Sequence, residues 1–138
     1  MITAVDTSVL LDVIGGDPTF GPSSAVGLRR CLQEGQLVAC EVVWAECAAG
    51  LPDTETTLDR FATLRVSYRT LDAETALTAG RMWSSYRSRC GTRERVIAAL
   101  LIGAHALLQA DRLLTRDRGF YRSYFNGLEI IDPSESAA

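Results

Sequence analysis

The feature that most constrains the fold of this chain is an alternation of short apolar runs with longer amphipathic stretches. Five runs of three or four residues, rich in β-branched side chains and leucine, predict short buried strands. They are Ile2–Val5, Leu37–Ala39, Val66–Tyr68, Arg112–Thr115 and Leu128–Ile131. Strands that alternate with helices pair in parallel, because each crossover helix returns the chain to the same edge. The sequence therefore predicts one α/β domain over residues 1–133, with a mostly parallel sheet of four to five strands flanked by helices.

The segments between these strands carry helical periodicity and helix-capping residues. The predicted helices run from Thr7 or Ser8 to Ile14, from Ser23 or Ser24 to Glu34, from Glu41 to Ala49, from Asp53 through Leu64, from Ala73 to about Ser88, from Arg93 to Gln109 and, as a short helix or turn, from Asp117 to Phe125. Residues 134–138 are expected to form a frayed tail.

Arginine alone carries the positive charge of the chain. All 14 basic residues are arginine, which excludes a P-loop nucleotide site and Schiff-base or pyridoxal chemistry, since these need a lysine amine. The single histidine, His105, argues against a histidine-rich zinc site or a Ser-His-Asp triad. Residues 1–60 hold nine acids and three arginines, whereas residues 61–125 hold eleven arginines and five acids. The basic half indicates a polyanion or an acidic partner, although two oppositely charged solvated faces would give the same pattern.

The cysteines and the apolar segments bear on cellular location. The four cysteines, at positions 31, 40, 47 and 90, show no CxxC spacing. They predict free buried thiols in a reducing compartment. No apolar segment reaches the length of a membrane span, and the first residues lack the features of a secretory signal peptide. We therefore expect a cytoplasmic protein that does not associate with membranes.

Three acids follow predicted strands closely enough to meet at one edge of the sheet. Asp6 comes directly after the first strand, Asp117 lies two residues past the fourth, and Glu46 lies in the helix after the second. Sites in open α/β sheets lie outside the carboxyl ends of the strands. Clustered carboxylates repel one another unless a cation lies between them, and Mg²⁺ or Mn²⁺ prefers such hard oxygen ligands. A metal held there can polarise a phosphodiester and activate water for attack.

Each acid also has a plain structural interpretation. An aspartate just before a helix often serves as its N-cap, which describes Asp6, and Asp117 has the position of a turn or cap residue. Glu46 has the alternative of a solvated helix face, but its neighbours over residues 42–48 are mostly apolar and leave little polar face. An acid among apolar neighbours needs a partner, because uncompensated burial is costly. We therefore expect the three acids to share one site.

Taken in order along the chain, these segments resemble the PIN-domain family, and more narrowly the VapC-type ribonuclease toxins of type II toxin–antitoxin pairs. The resemblance rests on VDTSVLLD at residues 5–12, on the helix that carries Glu46, on LIGAHA at 101–106 and on ADRLLTRDRGFY at 110–121. Each motif is weak alone, whereas their order and spacing are specific and cover nearly the whole chain. The resemblance implies a metal-dependent endoribonuclease that uses Mg²⁺ or Mn²⁺, forms a homodimer and is neutralised by a VapB-type antitoxin.

Residue by residue, the resemblance assigns three of the family's acids and one companion hydroxyl. The acids are Asp6, Glu46 and Asp117, and Thr115 matches the hydroxyl residue that accompanies the last of them. It implies that Asp6 and Asp117 hold metal, and that Glu46 binds it through water or helps to orient the nucleophile.

The resemblance departs at Ala99, where the family usually has an aspartate when the chains are aligned on residues 101–105. Glu94 does not replace it, since five helical residues turn the side chain by about 140°. Ala99 is therefore the position of a missing active-site acid, and we predict a weakly active or inactive chain. An engineered Asp→Ala change and a natural degenerate member both explain it, and the intact remaining acids favour the first.

Thr115, Arg116 and Arg118 are the predicted RNA contacts beside Asp117. Guanidinium forks bind phosphate oxygens in pairs, although solvated faces are the plain alternative for both arginines. The resemblance implies a structured or looped tRNA or rRNA as substrate, reached through unstacked bases.

Two other functions fit the same residues. One is a catalytically dead PIN module that binds antitoxin without cleaving RNA. The other is a metal-dependent phosphatase or 5′-nuclease, which is less favoured because the chain lacks the extra ligands and helical insertions of larger nucleases.

Overall fold

The computed structural model describes residues 1–89 and 96–135. The elements are β1 (Ile2–Val5), α1 (Thr7–Ile14), α2 (Gly21–Glu34), β2 (Gln36–Ala39), α3 (Glu41–Ala49), α4 (Thr54–Leu64), β3 (Val66–Tyr68), α5 (Ala73–Ser88), α6 (Val96–Gln109), β4 (Arg112–Leu114), α7 (Arg118–Tyr124) and β5 (Ile130–Ile131). The sequence also predicts a helix break at Cys90 and Gly91 and a cap at Thr92 for the helix that begins at Arg93. These positions, the acid Glu94 and residues 136–138 of the predicted tail lie outside the described residues.

Five parallel strands form one sheet in the order β3-β2-β1-β4-β5. This arrangement confirms the predicted α/β class. The chain builds the sheet outward from β1 in one direction through β2 and β3, and in the other through β4 and β5. The switch between the two directions lies beside β1 and β4, where Val5 pairs with Leu114. The loops that follow these two strands therefore lie side by side at the carboxyl edge of the sheet.

The central strands are buried on both faces. Consecutive residues of a strand point to opposite sides, and both members of the pairs Leu37 with Val38 and Leu113 with Leu114 are essentially inaccessible. Helices must therefore cover both sides of the sheet, which explains why these strands are continuous apolar runs instead of alternating ones.

Element boundaries differ from the predictions mainly at helix starts. Helix α2 begins at Gly21, ahead of the predicted Ser23 or Ser24, because Pro22 suits the first turn of a helix. A cap of α1 at Thr7 or Ser8, which the sequence also predicted, is wrong, because Thr7 is already helical. The cap is Asp6, whose extended backbone precedes the helix and whose side chain accepts the Thr7 N–H, in agreement with the capping interpretation of that residue. β5 is shorter than predicted and begins at Ile130.

The thiols agree with prediction within the part of the chain that the structure describes. Cys31, Cys40 and Cys47 are buried and free, whereas Cys90 lies outside that part. Over residues 1–89 and 96–135, no helix combines the length and the apolar character needed to cross a membrane. Two residues of the predicted tail make contacts: Ser134 hydrogen-bonds to Asp132, and Glu135 pairs with Arg118.

Candidate active site

A cleft of about 250 Å³ opens at the carboxyl edge of the sheet. Its lining comes from the β1–α1 junction, α3, α6, the β4–α7 loop and α7. The lining residues are Asp6, Thr7, Ser8, Glu46, Ala98, Ala99, Ile102, Asp117 and Tyr121. The cleft thus holds the three predicted acids together with the position at which the resemblance expects a fourth.

Asp6 is both a helix cap and a cleft carboxylate. Its Oδ1 accepts the Thr7 N–H at 2.8 Å, and its Oδ2 accepts the Thr115 hydroxyl at 2.7 Å. Burial raises the pKa of Asp6 above its ordinary value, and the negative charges of Glu46 and Asp117 raise it further, while the two hydrogen bonds act in the opposite direction. The capping and site interpretations of this residue are therefore compatible.

Thr115 connects two of the acids. It is fully buried, donates to Asp6, and its Oγ1 accepts the Asp117 N–H at 3.0 Å. Because its side chain is enclosed, Thr115 orders the loop that carries Asp117, and it offers no exposed side-chain atom for the RNA contact predicted from sequence. Asp117 lines the cleft just ahead of α7 and gives that helix no side-chain capping bond.

Glu46 lines the cleft from an exposed position on its helix, which the sequence did not indicate. It is exposed on α3, and its Oε1 accepts the Thr7 hydroxyl at 2.7 Å. The expectation that apolar neighbours enclose it was wrong. The alanines around it are exposed too, because α3 buries only Val43 and Cys47.

One wall of the cleft is formed by α6 and presents methyl groups where the other walls present oxygen. Ala98 and Ala99 lie in the early turns of that helix. The Ser8 hydroxyl, which also belongs to the lining, is buried and has no hydrogen-bond partner among residues 1–89 and 96–135.

Tyr121 is a cleft residue that sequence reasoning did not single out. Burial raises the pKa of its phenol, and the charges of Asp6 and Asp117 raise it further. The hydroxyl therefore stays protonated, and its interaction with the Asp6 carboxylate contributes to that raised pKa. Its spacing was a usable signal, since it lies four residues, or one helical turn, after Asp117.

Arg116 lies beside the cleft but does not line it. Its Nε and Nη2 donate to the two carboxylate oxygens of Asp12 at 2.7 and 2.9 Å. Asp12 is buried and also accepts the Ser24 hydroxyl. The sequence analysis did not single out Asp12. It is an acid among apolar neighbours in residues 9–14, and the same argument that an acid among apolar neighbours needs a partner was made for Glu46.

Arg118 is the more accessible of the two arginines that flank Asp117. Its side chain is 45% exposed and pairs with Asp132 at 3.6 Å and with Glu135. Its predicted contact with RNA stays a prediction.

The donor set of the cleft fits a hard divalent cation. Among residues 1–89 and 96–135, three carboxylates line the cleft, and no arginine, histidine or cysteine belongs to that lining. A cation would offset both the burial and the neighbouring negative charges that raise the pKa of Asp6. Within the part of the chain that the structure describes, no three acid, cysteine or histidine side chains converge closely enough to enclose a metal ion. The oxygen ligands are of the right kind, and the wall at Ala99 contributes none.

Comparison with known proteins agrees with this architecture. A family model described as the PIN domain matches residues 3–126. Among solved structures, VapBC2 from Rickettsia felis bound to a DNA fragment from their promoter gives a TM-score of 0.73 at 18% identity, covering 95% of this chain and 98% of that one. VapBC-1 from nontypeable Haemophilus influenzae gives 0.71 at 19% identity, with 98% and 100% covered. FitAcB from Neisseria gonorrhoeae gives 0.69 at 19% identity, with 99% and 100% covered. No curated protein sequence matches significantly.

Proposed function

We propose, from the premise that this chain belongs to the PIN domain family, that it is a divalent-metal-dependent endoribonuclease and the toxin of a toxin–antitoxin pair. The observation that carries the nuclease proposal is that Asp6, Glu46 and Asp117, from three separate segments, line one cleft. Carboxylate oxygens are the hard ligands that Mg²⁺ and Mn²⁺ prefer.

Asp6 and Asp117 would hold the metal, and Glu46 would bind it through water or orient the nucleophile. A divalent ion bound there supplies polarisation of the phosphodiester and activation of a water molecule. Hydroxyl donors orient two of these acids: Thr115 holds Asp6, and Thr7 holds Glu46. Each donor fixes the position of one carboxylate oxygen at the cleft, which favours a defined site for a cation.

The remaining residues would shape access to the reacting phosphate. Tyr121 is a buried lining residue whose protonated phenol interacts with Asp6. Arg118 is exposed beside Asp117 and is the candidate contact for a substrate phosphate. We propose tRNA or rRNA as the substrate, with unpaired nucleotides entering the cleft.

The proposed partners follow from the fold shared with VapBC and FitAcB proteins. By that likeness we propose a VapB-type antitoxin as the protein partner, a homodimer as the assembly and the cytoplasm as the compartment.

The alanine wall favours a second candidate function. Ala98 and Ala99 line the cleft without a ligand atom, and a site that lacks one carboxylate binds metal weakly or in the wrong geometry. The chain would then be a catalytically dead PIN module that binds antitoxin without cleaving RNA.

One experiment separates the two functions. The unsubstituted chain and Ala99→Asp are incubated with total RNA and Mg²⁺ or Mn²⁺. We expect cleavage by the Ala99→Asp variant, little or none by the unsubstituted chain, and none after EDTA or after a further Asp117→Asn change. Ala98→Asp is the matched control, because it adds the same charge to the neighbouring lining residue at a different helical angle. If neither the unsubstituted chain nor Ala99→Asp cleaves RNA and both bind a co-expressed antitoxin tightly, the second function is the correct one.

A further inference from the structure

We propose that the ion pair between Arg116 and Asp12, here called the Arg116–Asp12 clamp, is a positioning device for the cleft. It fixes the β4–α7 loop, which carries Thr115 and Asp117, against α1, which follows Asp6 directly. The inference rests on the proposed function, because it concerns the acids to which that function assigns the metal.

The geometry of the clamp is that of a rigid two-point attachment. Nε and Nη2 of Arg116 donate to the separate oxygens of Asp12 at 2.7 and 2.9 Å. Asp12 is only 4% exposed, and the Ser24 hydroxyl of α2 donates to it at 2.8 Å. A planar fork on a buried carboxylate fixes orientation as well as distance, which a single contact does not.

The face of the Arg116 guanidinium is also engaged. It lies over the Phe20 ring, 4.0 Å from the centroid, and the side chain is 26% exposed. An RNA phosphate would have to displace Asp12 from the fork, leaving a buried carboxylate without its cation. The contacts of Arg116 therefore favour positioning over the phosphate contact predicted from sequence.

The clamp acts on the cleft through consecutive residues of one loop. Thr115 donates to Asp6, Arg116 holds Asp12, and the Asp117 N–H donates back to Thr115. Asp6 and Asp12 lie near opposite ends of α1, so one helix anchors the loop at two points. The separation between the carboxylates of Asp6 and Asp117 therefore depends on the clamp.

A matched ion pair lies at the other end of the same strand. Arg112 opens β4, is buried, and donates from Nη2 to Glu34 at 3.0 Å. This pair is a control for stability, since it joins the strand to α2 without touching the cleft. Glu34→Gln and Asp12→Asn make the same isosteric change at the two ends of β4.

The test compares Asp12→Asn, Arg116→Met, Arg116→Lys, the double variant and Glu34→Gln in the full chain, with and without Ala99→Asp. Hydrogen exchange of the Asp117 amide is followed by NMR, and Mn²⁺ affinity by calorimetry, well below each unfolding midpoint. Arg116→Lys keeps the charge without the fork, so it replaces Asp12→Asn if that variant does not fold.

We expect Asp12→Asn and Arg116→Met to speed exchange of the Asp117 amide at least about tenfold and to weaken Mn²⁺ binding by about 10- to 100-fold, as loss of a residue supporting a metal ligand does. The double variant should be no worse than either single one, because both break the same contact. Glu34→Gln should lower the unfolding midpoint and leave the exchange rate and the Mn²⁺ affinity unchanged.

Unchanged exchange and Mn²⁺ affinity in Asp12→Asn would overturn the clamp. The clamp would also be overturned if Arg116→Met, but not Asp12→Asn, lowered the affinity for RNA and reduced its salt dependence by about one phosphate contact. That pattern would identify Arg116 as a phosphate contact. If neither the unsubstituted chain nor Ala99→Asp binds Mn²⁺, the proposed function fails, and the exchange rate of Asp117 still decides whether the clamp positions the loop.

Discussion

The two ends of strand β4 place charged groups in opposite situations. At the amino end, Arg112 is 3% exposed and donates to Glu34 at 3.0 Å and to the Thr3 hydroxyl at 2.9 Å. At the carboxyl end, three carboxylates line a cleft, and no cationic side chain lines it within the part of the chain that the structure describes. The pair at the amino end is balanced in charge, whereas the described lining of the cleft carries charge of a single sign.

The pKa of one acid at each edge is shifted in a direction that reflects this difference. The hydrogen bond and the charge of Arg112 lower the pKa of Glu34, whereas burial and neighbouring acids raise the pKa of Asp6. A lowered pKa means that the fold stabilises the ionised form of the acid, and a raised pKa means that the fold destabilises that form. The comparison teaches that the amino edge contributes to stability, while the carboxyl edge holds unfavourable charge that a bound cation would neutralise.

The largest effect is expected from breaking the balanced edge. Arg112→Met removes the charged hydrogen bonds to Glu34 and Thr3 and should lower the free energy of unfolding by about 3 kcal/mol in urea denaturation. Arg30→Met is the control, because Arg30 also pairs with Glu34, at 3.4 Å, but is exposed. It should cause no measurable change, and equal losses in the two variants would show that burial of the pair does not matter.

A metal should affect only the carboxyl edge. Free Mn²⁺ at one hundred times its dissociation constant should raise the free energy of unfolding by about 2.7 kcal/mol. Asp117→Asn should abolish this gain and Glu34→Gln should retain it, both followed by thermal unfolding with and without EDTA. A gain that persists in Asp117→Asn would place the ion elsewhere.

Removing an acid from the cleft should stabilise the metal-free protein. Asp6→Asn relieves repulsion from Glu46 and Asp117 while keeping the capping oxygen, and should raise the free energy of unfolding by about 1 kcal/mol in EDTA. Asp53→Asn controls for capping, since Asp53 caps α4 by accepting the Thr56 N–H at 2.7 Å; it should give no such rise. A loss of stability in Asp6→Asn would show that the hydrogen bond from Thr115 outweighs the repulsion.

The smallest effect expected is a pH dependence at the amino edge. The folded-state pKa of Glu34 is lowered from 4.5, so its stabilising contribution is present above pH 4.5 and is lost as the pH falls through the lowered folded-state value. Thermal midpoints measured from neutral pH downward should fall less steeply in Glu34→Gln than in the unsubstituted chain. Parallel curves would mean that the Arg112 pair does not depend on the charge of Glu34.

The sequence predicted the strands and the positions of the strand-end acids, because both depend on local patterns. Short apolar runs define the strands, and parallel pairing brings the residues after β1 and β4 to the same edge. Asp6 and Asp117 line one cleft for this reason.

The rest of the site depends on contacts between distant residues. Arg116 pairs with Asp12 across 104 positions, and Glu46 accepts from Thr7 across 39. No spacing rule predicts such partners. The sequence therefore indicated only that Arg116 is a cation next to Asp117, and not that it pairs with Asp12. The exposure of Glu46 was missed for a related reason, since apolar neighbours on a helix show burial only where another element covers them.

Ala99 lies within α6, where replacing an acid by alanine is compatible with the helix backbone. The other three acids are tied into the fold: Asp6 caps α1, Glu46 holds Thr7, and the Asp117 backbone is bonded to Thr115. Alanine in a helix, by contrast, is the residue that the backbone favours most. Under the proposed function, a change from aspartate to alanine at position 99 would remove catalysis while leaving the fold, and with it the proposed antitoxin surface, intact.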